Sequence, residues 1–149
     1  MEIRKVKEND IPMIALLERE IFSVPWSEQS FLSERSSPDS LFYLGEEEGA
    51  LVGFCILHRF GEEGEIYNIA VSPYARGKGY GDRLLRYVLE KGEGLGTQSV
   101  FLEVRESNFP ARKLYEKNGF VPVGRRKLYY DAPTEDAVLY RRNTGETGR

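Results

Sequence analysis

The sequence holds one cysteine, Cys55, and one histidine, His58, among its 149 residues. A single cysteine excludes a disulfide within the chain and a zinc site built from several thiolates. A single histidine makes a metal site of several imidazoles, or a Ser-His-Asp triad, a poor candidate. Both residues lie in the apolar segment 51–58. There, a buried thiol and a histidine at a strand edge are the simplest interpretations.

Long hydrophobic runs and an excess of basic residues are also missing. No apolar run approaches the roughly 18 to 20 residues that a membrane-spanning helix needs. The first ten residues, MEIRKVKEND, carry charges where a signal peptide needs an apolar segment. The net charge of −3 argues against general nucleic-acid binding, which requires a basic surface. We therefore expect a cytoplasmic protein, a monomer or weak dimer, that binds neither nucleic acid nor membrane.

The chain has the size and composition of one soluble domain. Its 149 residues are 40% hydrophobic and 30% charged, which is ordinary for a globular protein. We expect a single domain over residues 1–141 and a polar, disordered tail over 142–149.

Apolar periodicity predicts a strand, two helices, three strands, a helix, a strand, a helix and two closing strands. The predicted strands cover residues 2–6, 40–44, 50–59, 65–71, 99–104, 120–124 and 137–140. The helices are expected to begin after Asn9 or Asp10, near Ser27, at Gly79, and after Ser107 or Asn108. This order predicts one mixed sheet with helices on its faces, an α/β or α+β architecture.

A glycine-rich segment, VSPYARGKGYG, leaves the strand at 65–71 and enters the next helix. Gly77, Gly79 and Gly81 allow the backbone to approach a ligand and to adopt positive φ angles. The first amides of the helix lack internal partners and lie at the positive end of its dipole. Arg76 and Lys78 add positive charge. The segment therefore predicts a site for a phosphate-bearing ligand.

The spacing of this segment excludes the common nucleotide motifs. It fails the Walker A pattern, because Lys78 is followed by glycine and Ser72 stands at the first glycine position. It fails GxGxxG, because residues 82 and 84, three positions after the second and third glycines, are not glycine.

The spacing Arg76-x-x-Gly79-x-Gly81 instead resembles the R/Q-x-x-G-x-G/A signature of GNAT acetyltransferases. The block 108–120, NFPARKLYEKNGF, is also similar to a segment of that family, and the resemblance extends from about Ile3 to Tyr140. It implies the GNAT fold: a central mixed sheet of six to seven strands, about four flanking helices, and a splayed strand pair that holds acetyl-CoA.

Four further segments resemble the RimI-type branch of the family. They are Pro25–Ser27, Tyr67–Val71, Leu102–Arg105 and Tyr129–Tyr130. This resemblance implies an acyltransferase of EC class 2.3.1 that acetylates protein N-termini. The expected partner is a protein N-terminus, in particular the N-terminal alanine of a small-subunit ribosomal protein.

The resemblance also implies catalytic roles. A protonated α-amine, with a pKa near 8, must lose its proton before it attacks a thioester, and Glu103 matches the family's base. Glu65, in the strand before the glycine-rich segment, is the alternative base. Tyr115 matches the general acid that protonates the departing thiolate.

Acetyl-CoA, with no metal, is the implied cosubstrate, and a main-chain amide of the 68–71 strand is expected to stabilise the thioester oxygen. The implied cofactor contacts are Ile69, Ala70, Val71, Arg76, Gly77, Lys78, Gly79, Tyr80, Gly81 and Asn108. Asn108 also suits a helix cap, and the two roles are compatible.

Aromatic side chains from two predicted loops are expected to bind the substrate. The candidates are Trp26, Tyr67, Tyr130 and Asp131, with Pro25, Phe31 and Tyr129 beside them. For Trp26 and Phe31 a purely structural role is equally compatible with the sequence. Two other functions stay open: acetylation of a small amine, such as a polyamine or aminoglycoside, and acetyl-CoA binding without turnover. The basic run 125–127 is interpreted as a solvated strand edge.

Overall fold

The computed structural model describes residues 1–144, which form seven strands and four α-helices. The strands are β1 (Glu2–Lys5), β2 (Ser40–Glu47), β3 (Ala50–Phe60), β4 (Glu63–Val71), β5 (Ser99–Arg105), β6 (Val121–Tyr130) and β7 (Glu135–Asn143). The helices are α1 (Ile11–Ile21), α2 (Glu28–Ser36), α3 (Tyr80–Gly94) and α4 (Phe109–Lys117). Within this part of the chain, no helix has both the length and the apolar character needed to cross a membrane.

The strands form one mixed sheet in the order β1-β2-β3-β4-β5-β7-β6. All neighbouring strands are antiparallel except β4 and β5, which are parallel and are joined through α3. A parallel pair needs such a crossover, because its second strand must start at the same end as its first. The predicted element order and fold class are confirmed.

Each face of the sheet carries helices over its own apolar cluster. On one face α3 buries the predicted stripe of Leu84, Leu85, Val88 and Leu89, and α4 packs beside it. On the other face α1 and α2 cover a second cluster that contains Phe31, Phe42 and Phe54. Each such side chain contributes roughly 1.5–3 kcal/mol through burial. The two clusters therefore fix both helical layers against the sheet.

Two of the predicted helix caps are present. The Ser27 hydroxyl accepts a hydrogen bond from Ser30 N at 3.1 Å, and Asn108 Oδ1 accepts one from Ala111 N at 3.3 Å. Asp10 precedes α1, but its carboxylate bonds the Lys7 amide and the Arg4 guanidinium instead.

The two closing strands are longer than the sequence pattern predicts. β6 continues to Tyr130 and β7 begins at Glu135, so the expected loop shrinks to a turn over 131–134. β6 is an edge strand, and its residues 122–129 are all exposed. Such a strand lacks the alternation of buried and exposed residues from which strands are predicted. β7 extends to Asn143, into the predicted tail, and residues 145–149 of that tail lie outside the described residues.

Candidate active site

The parallel strands β4 and β5 separate part-way along their length. They pair only through Glu63–Glu65 and Ser99–Phe101. Beyond this point β4 stays paired with β3, while β5 stays paired with β7. A β-bulge accompanies the separation, because Tyr67 is an extra residue in β4 relative to β3. The result is an opening in the sheet, along which the second half of β4 has no bonded neighbour on the β5 side within residues 1–144.

The glycine-rich loop lies at the end of β4 beside this opening. Gly77 and Gly79 adopt positive φ angles of 79° and 77°, and α3 begins directly afterwards. The first backbone bond of the helix runs from Arg83 N to Gly79 O at 3.1 Å, so the amides of residues 80–82 precede the bonded part of the helix. Gly81 lies within α3 and needs no special conformation. The loop thus presents free amides at a helix N-terminus, as an anion site requires.

The other predicted cofactor residues surround the same opening. Ile69, Ala70 and Val71 form the end of β4 next to the loop, and this end is paired with β3 on one side and not with β5 on the other. Arg76 is exposed on the loop with its Nε 3.4 Å from Val71 O. Tyr80, in the first turn of α3, donates its hydroxyl to Glu47. The free edge of the strand suits the extended arm of a ligand, and the helix amides and loop cations suit its phosphates. Acetyl-CoA has both parts.

The far wall of this part of the site is α4. Asn108 is the N-cap of α4. The side chain of Leu114, also in α4, lies close to Gly81 of α3: a Cβ atom added to Gly81 would be 3.6 Å from it. Asn118, at the end of α4, donates to the buried Asp82 carboxylate in the first turn of α3 at 2.9 Å. The N-terminus of α3 is therefore held against α4, and the loop has a fixed neighbour on that side.

Tyr115 lies in α4 on the same face of the sheet. Its ring is 6% exposed and packs against Phe120 and Tyr140, with centroids 5.9 and 6.3 Å away. Burial raises the pKa of the Tyr115 phenol, because desolvation disfavours the phenolate. The phenol is thus protonated at neutral pH, as a general acid must be before it acts.

Two carboxylates, Glu65 and Glu103, lie on the opposite face. Glu65 is in register with Phe101, and Glu103 follows two residues later, so all three side chains share one face. Burial, and then the charge of Glu103, raise the pKa of Glu65. Glu103 Oε1 lies 3.0 Å from Arg126 Nε, and the charge of this carboxylate raises the pKa of the neighbouring Tyr129 phenol. The candidate acid and the candidate bases therefore stand on opposite faces, and the opening between β4 and β5 joins them.

Aromatic rings border the carboxylates on the α1–α2 side. Tyr67, the bulged residue, stacks on His58 at 5.0 Å and meets Trp26 at 6.1 Å. Trp26 is partly buried and packs against Phe31 at 5.1 Å. Phe31 is fully buried in the core, which favours the structural one of the two roles that the sequence left open for it.

The turn between β6 and β7 borders the carboxylates on the other side. Arg105, two residues after Glu103, donates to Asp131 O at 2.5 Å and to Pro133 O at 2.7 Å. Its guanidinium also lies 4.6 Å from the centre of the Tyr130 ring. Sequence reasoning assigned Arg105 no role, although its spacing from Glu103 places both side chains on one face. Arg105 fixes the backbone of the turn, while the Asp131 side chain stays exposed.

Glu18 is a second residue that the sequence analysis missed. It is only 2% exposed, accepts from Trp26 N at 3.0 Å, and accepts from Asn68 Nδ2 at 2.7 Å. Burial raises the pKa of this carboxyl. The available signal was its position four residues after Ile14, on the apolar stripe of α1. Glu18 joins α1, the α1–α2 connection and the bulged part of β4.

Comparison with known proteins gives consistent matches. The family model for the acetyltransferase (GNAT) family matches residues 11–120. The N-alpha-acetyltransferase RimI of Mycobacterium tuberculosis is 36% identical over 143 residues, which cover 92% of this chain and 89% of that protein. The ribosomal protein bS18-alanine N-acetyltransferase of Escherichia coli K12 is 34% identical over 139 residues, covering 92% and 93%. The crystal structure of the E. coli ribosomal-protein-S18-alanine N-acetyltransferase matches with a TM-score of 0.91 at 30% identity, over 99% of this chain and 96% of that chain.

Proposed function

The chain belongs to the GNAT acetyltransferase family, and from this premise we propose that it acetylates the N-terminal α-amine of a protein. The proposed substrate is the N-terminal alanine of a small-subunit ribosomal protein. The names of the E. coli relatives, which give an alanine of ribosomal protein bS18 or S18, support this choice. The observation that carries the proposal is the pair Glu65 and Glu103 on an open face, between the Trp26–Tyr67 aromatics and the anchored β6–β7 turn. Such a groove suits a short extended peptide with a positive end.

Enzymes of this family use acetyl-CoA, which supplies the activated acetyl group. In our proposal Glu103 removes the proton from the substrate ammonium, directly or through a water molecule. The amine then forms a bond to the acetyl carbon while the carbon–sulfur bond breaks. A main-chain amide in the segment Ile69–Val71 stabilises the charge that develops on the acetyl oxygen. Tyr115 gives its proton to the departing thiolate, and the second proton that the nitrogen loses on becoming an amide restores the phenol, directly or through a water molecule. The products are an N-acetylated peptide and CoA thiol, with the first proton of the ammonium left on Glu103.

The positions of Glu103 and Tyr115 on opposite faces of the sheet support their assignment as base and acid. Acetyl-CoA would be held by the glycine-rich loop and α4, on the face of Tyr115, while the peptide would approach the face of Glu103. The reacting atoms would meet in the opening between the strands. Holding the amine and the thioester together in this way supplies a large part of the rate enhancement.

The proposed function is tested by incubating the protein with acetyl-CoA and a library of N-terminal peptides, followed by mass spectrometry. We expect one acetyl group on alanine-starting peptides, located at the α-amine and not at a lysine side chain. The same peptides with a blocked N-terminus are the matched control and should stay unmodified. Acetylation of polyamines or aminoglycosides but of no peptide would assign the enzyme to small amines. If the protein binds acetyl-CoA but acetylates no amine, it is an acetyl-CoA-binding module and not an enzyme.

Glu18→Gln should raise KM for the peptide about tenfold, because the new amide turns an NH2 group toward one of two existing donors. A buried donor without an acceptor costs about 1–3 kcal/mol, which loosens Trp26 or Asn68. The variable measured is the initial rate against peptide concentration, with the melting temperature recorded in parallel. Glu20→Gln, at an exposed position of the same helix, is the control. Equal KM values for Glu18→Gln and the wild type would show that Glu18 does not position the substrate site.

A further inference from the structure

The edge strand β6 has a bulge beside the proposed amine site. Arg126 pairs with Ala137 and Tyr130 pairs with Glu135, so three residues of β6 lie opposite the single residue Asp136. Leu128, in the middle of the bulge, has a φ of 50°, and its amide donates to Asp136 Oδ1 at 2.9 Å. The bulge begins just after Arg126, whose own position follows from the register of the strands. Arg126 lies beside Ala137, and Ala137 lies beside Arg105, two residues from Glu103 on the same face of β5.

Arg126 and Glu103 form an ion pair in which the two partners differ in exposure. Arg126 Nε lies 3.0 Å from Glu103 Oε1, with the Arg126 side chain 57% exposed and that of Glu103 21% exposed. The guanidinium also lies 5.4 Å from the centre of the Tyr129 ring. A half-exposed arginine in such a pair is held weakly and moves at little cost. Glu103 is therefore paired with a cation that is free to shift when another cation arrives.

The charges that face Glu103 come from several strands. β4 contributes Glu65, and β6 contributes Arg126 and the neutral phenols of Tyr129 and Tyr130. β3 contributes His58, which is bonded to Glu34 of α2. On β5 itself Arg105 lies two residues away on the same face, and it pairs with Glu135 of β7 at 3.3 Å. Glu65, Glu103 and Arg126 give a net charge of −1 beside two ion pairs, His58–Glu34 and Arg105–Glu135. The charge of Arg126 also lowers the pKa of Glu65, against the effects of burial and of Glu103. Its field thus reaches both carboxylates.

We propose that Arg126 is a positioning residue that sets the charge balance of the amine site, so that a bound substrate ammonium brings the cluster to neutrality and still loses its proton near neutral pH. The proposal rests on the proposed function. With Arg126 present, two carboxylates face two cations. Without it, two carboxylates would hold the ammonium alone and would stabilise its protonated form. The presence of Arg126 therefore lowers the affinity of the site for the ammonium and makes deprotonation of the ammonium easier.

The test is the pH dependence of kcat for peptide acetylation by Arg126→Gln. We expect the acid limb of the pH profile of kcat to move up by about one pH unit, because removing a nearby cation raises the pKa of the ammonium, and a charge at this distance shifts a pKa by about 1–3 units. At pH 7 kcat should fall about tenfold on this account. KM for the peptide should fall about fivefold, because no arginine competes with the ammonium. Arg126→Lys, which keeps the charge, should retain the wild-type limb.

Arg125→Gln is the matched control, since it removes the same charge from the neighbouring position of the same strand. Arg125 is in register with the buried Val138 and pairs with Glu106 and Asp136, away from Glu103. For Arg125→Gln, the acid limb of the pH profile of kcat and the KM for the peptide should equal those of the wild type. Arg126→Met replaces Arg126→Gln if the melting temperature shows that the latter is unfolded.

The outcomes separate the inference from the proposed function. A wild-type protein that acetylates no peptide overturns the proposed function, and the inference with it. If the wild type is active and Arg126→Gln shows the same acid limb of the pH profile of kcat, the inference alone is overturned. Equal shifts in Arg126→Gln and Arg125→Gln also overturn it, because they would reflect the overall charge of the protein. A fall in kcat at every pH, with no shift of the limb, would indicate a purely structural role for Arg126.

Discussion

Replacing Glu103 with Gln should lower kcat by about two to three orders of magnitude and leave the affinity for acetyl-CoA unchanged. The amide keeps the size of the side chain and an oxygen that accepts from Arg126, but it does not take up a proton. The loop proposed to hold the phosphates follows the far end of β4, whereas Glu103 lies in β5. Steady-state rates at saturating peptide, together with calorimetric binding of CoA, measure the two quantities separately.

Glu65→Gln is the matched comparison, because it removes a carboxylate from the same face one strand away. The raised pKa of Glu65 makes it a stronger proton acceptor than an ordinary glutamate, and this is the physical argument for the alternative base. For Glu65→Gln we expect a kcat within a few-fold of the wild type and about a tenfold higher KM for the peptide, from the weaker attraction of the ammonium. The reverse order, with Glu65→Gln nearly inactive and Glu103→Gln nearly normal, would assign the proton transfer to Glu65.

The parts of the site that were predictable from sequence are those with local causes. The loop before α3 follows from glycine spacing, because Gly77 and Gly79 adopt φ angles that other residues rarely take. The cap at Asn108 follows from the position of one polar side chain before a helix. The stripe of α3 follows from its period. In each case the residues that determine the feature lie within one or two helical turns of it.

The parts that were missed depend on contacts between distant segments. Glu18 meets Asn68 fifty positions along the chain, and Arg105 meets Asp131 and Pro133 across 26 and 28 positions. Nothing in the sequence near Glu18 distinguishes a buried carboxylate from an exposed one, except its place on an apolar stripe. The run 125–127 was correctly interpreted as a strand edge, yet the register of Arg126 with Ala137 of β7 determines that its side chain meets Glu103. Such long-range pairings arise from the packing of the sheet, which periodicity does not encode.

Gly79→Val should raise the Kd for CoA by at least about 100-fold. No atom lies within 4 Å of a Cβ built at Gly79, so the added side chain occupies the space in front of the free helix amides without disturbing the fold around it. That space is where the phosphates would bind. Each hydrogen bond between a charged group and an amide contributes about 1.5–3 kcal/mol, and the loss of one or two accounts for the expected change. Isothermal titration with CoA measures it.

Gly61→Val provides the control for backbone strain. Gly61 has a φ of 64°, also without an atom within 4 Å of its Cβ position, and it lies in the β3–β4 turn at the other end of β4. Valine in this left-handed conformation costs about 1–2 kcal/mol at either position, so both variants should melt at similarly lowered temperatures. Only Gly79→Val should lose CoA binding. If Gly79→Val binds CoA as well as Gly61→Val does, the phosphates do not lie against the N-terminus of α3, and the assignment of the loop is wrong.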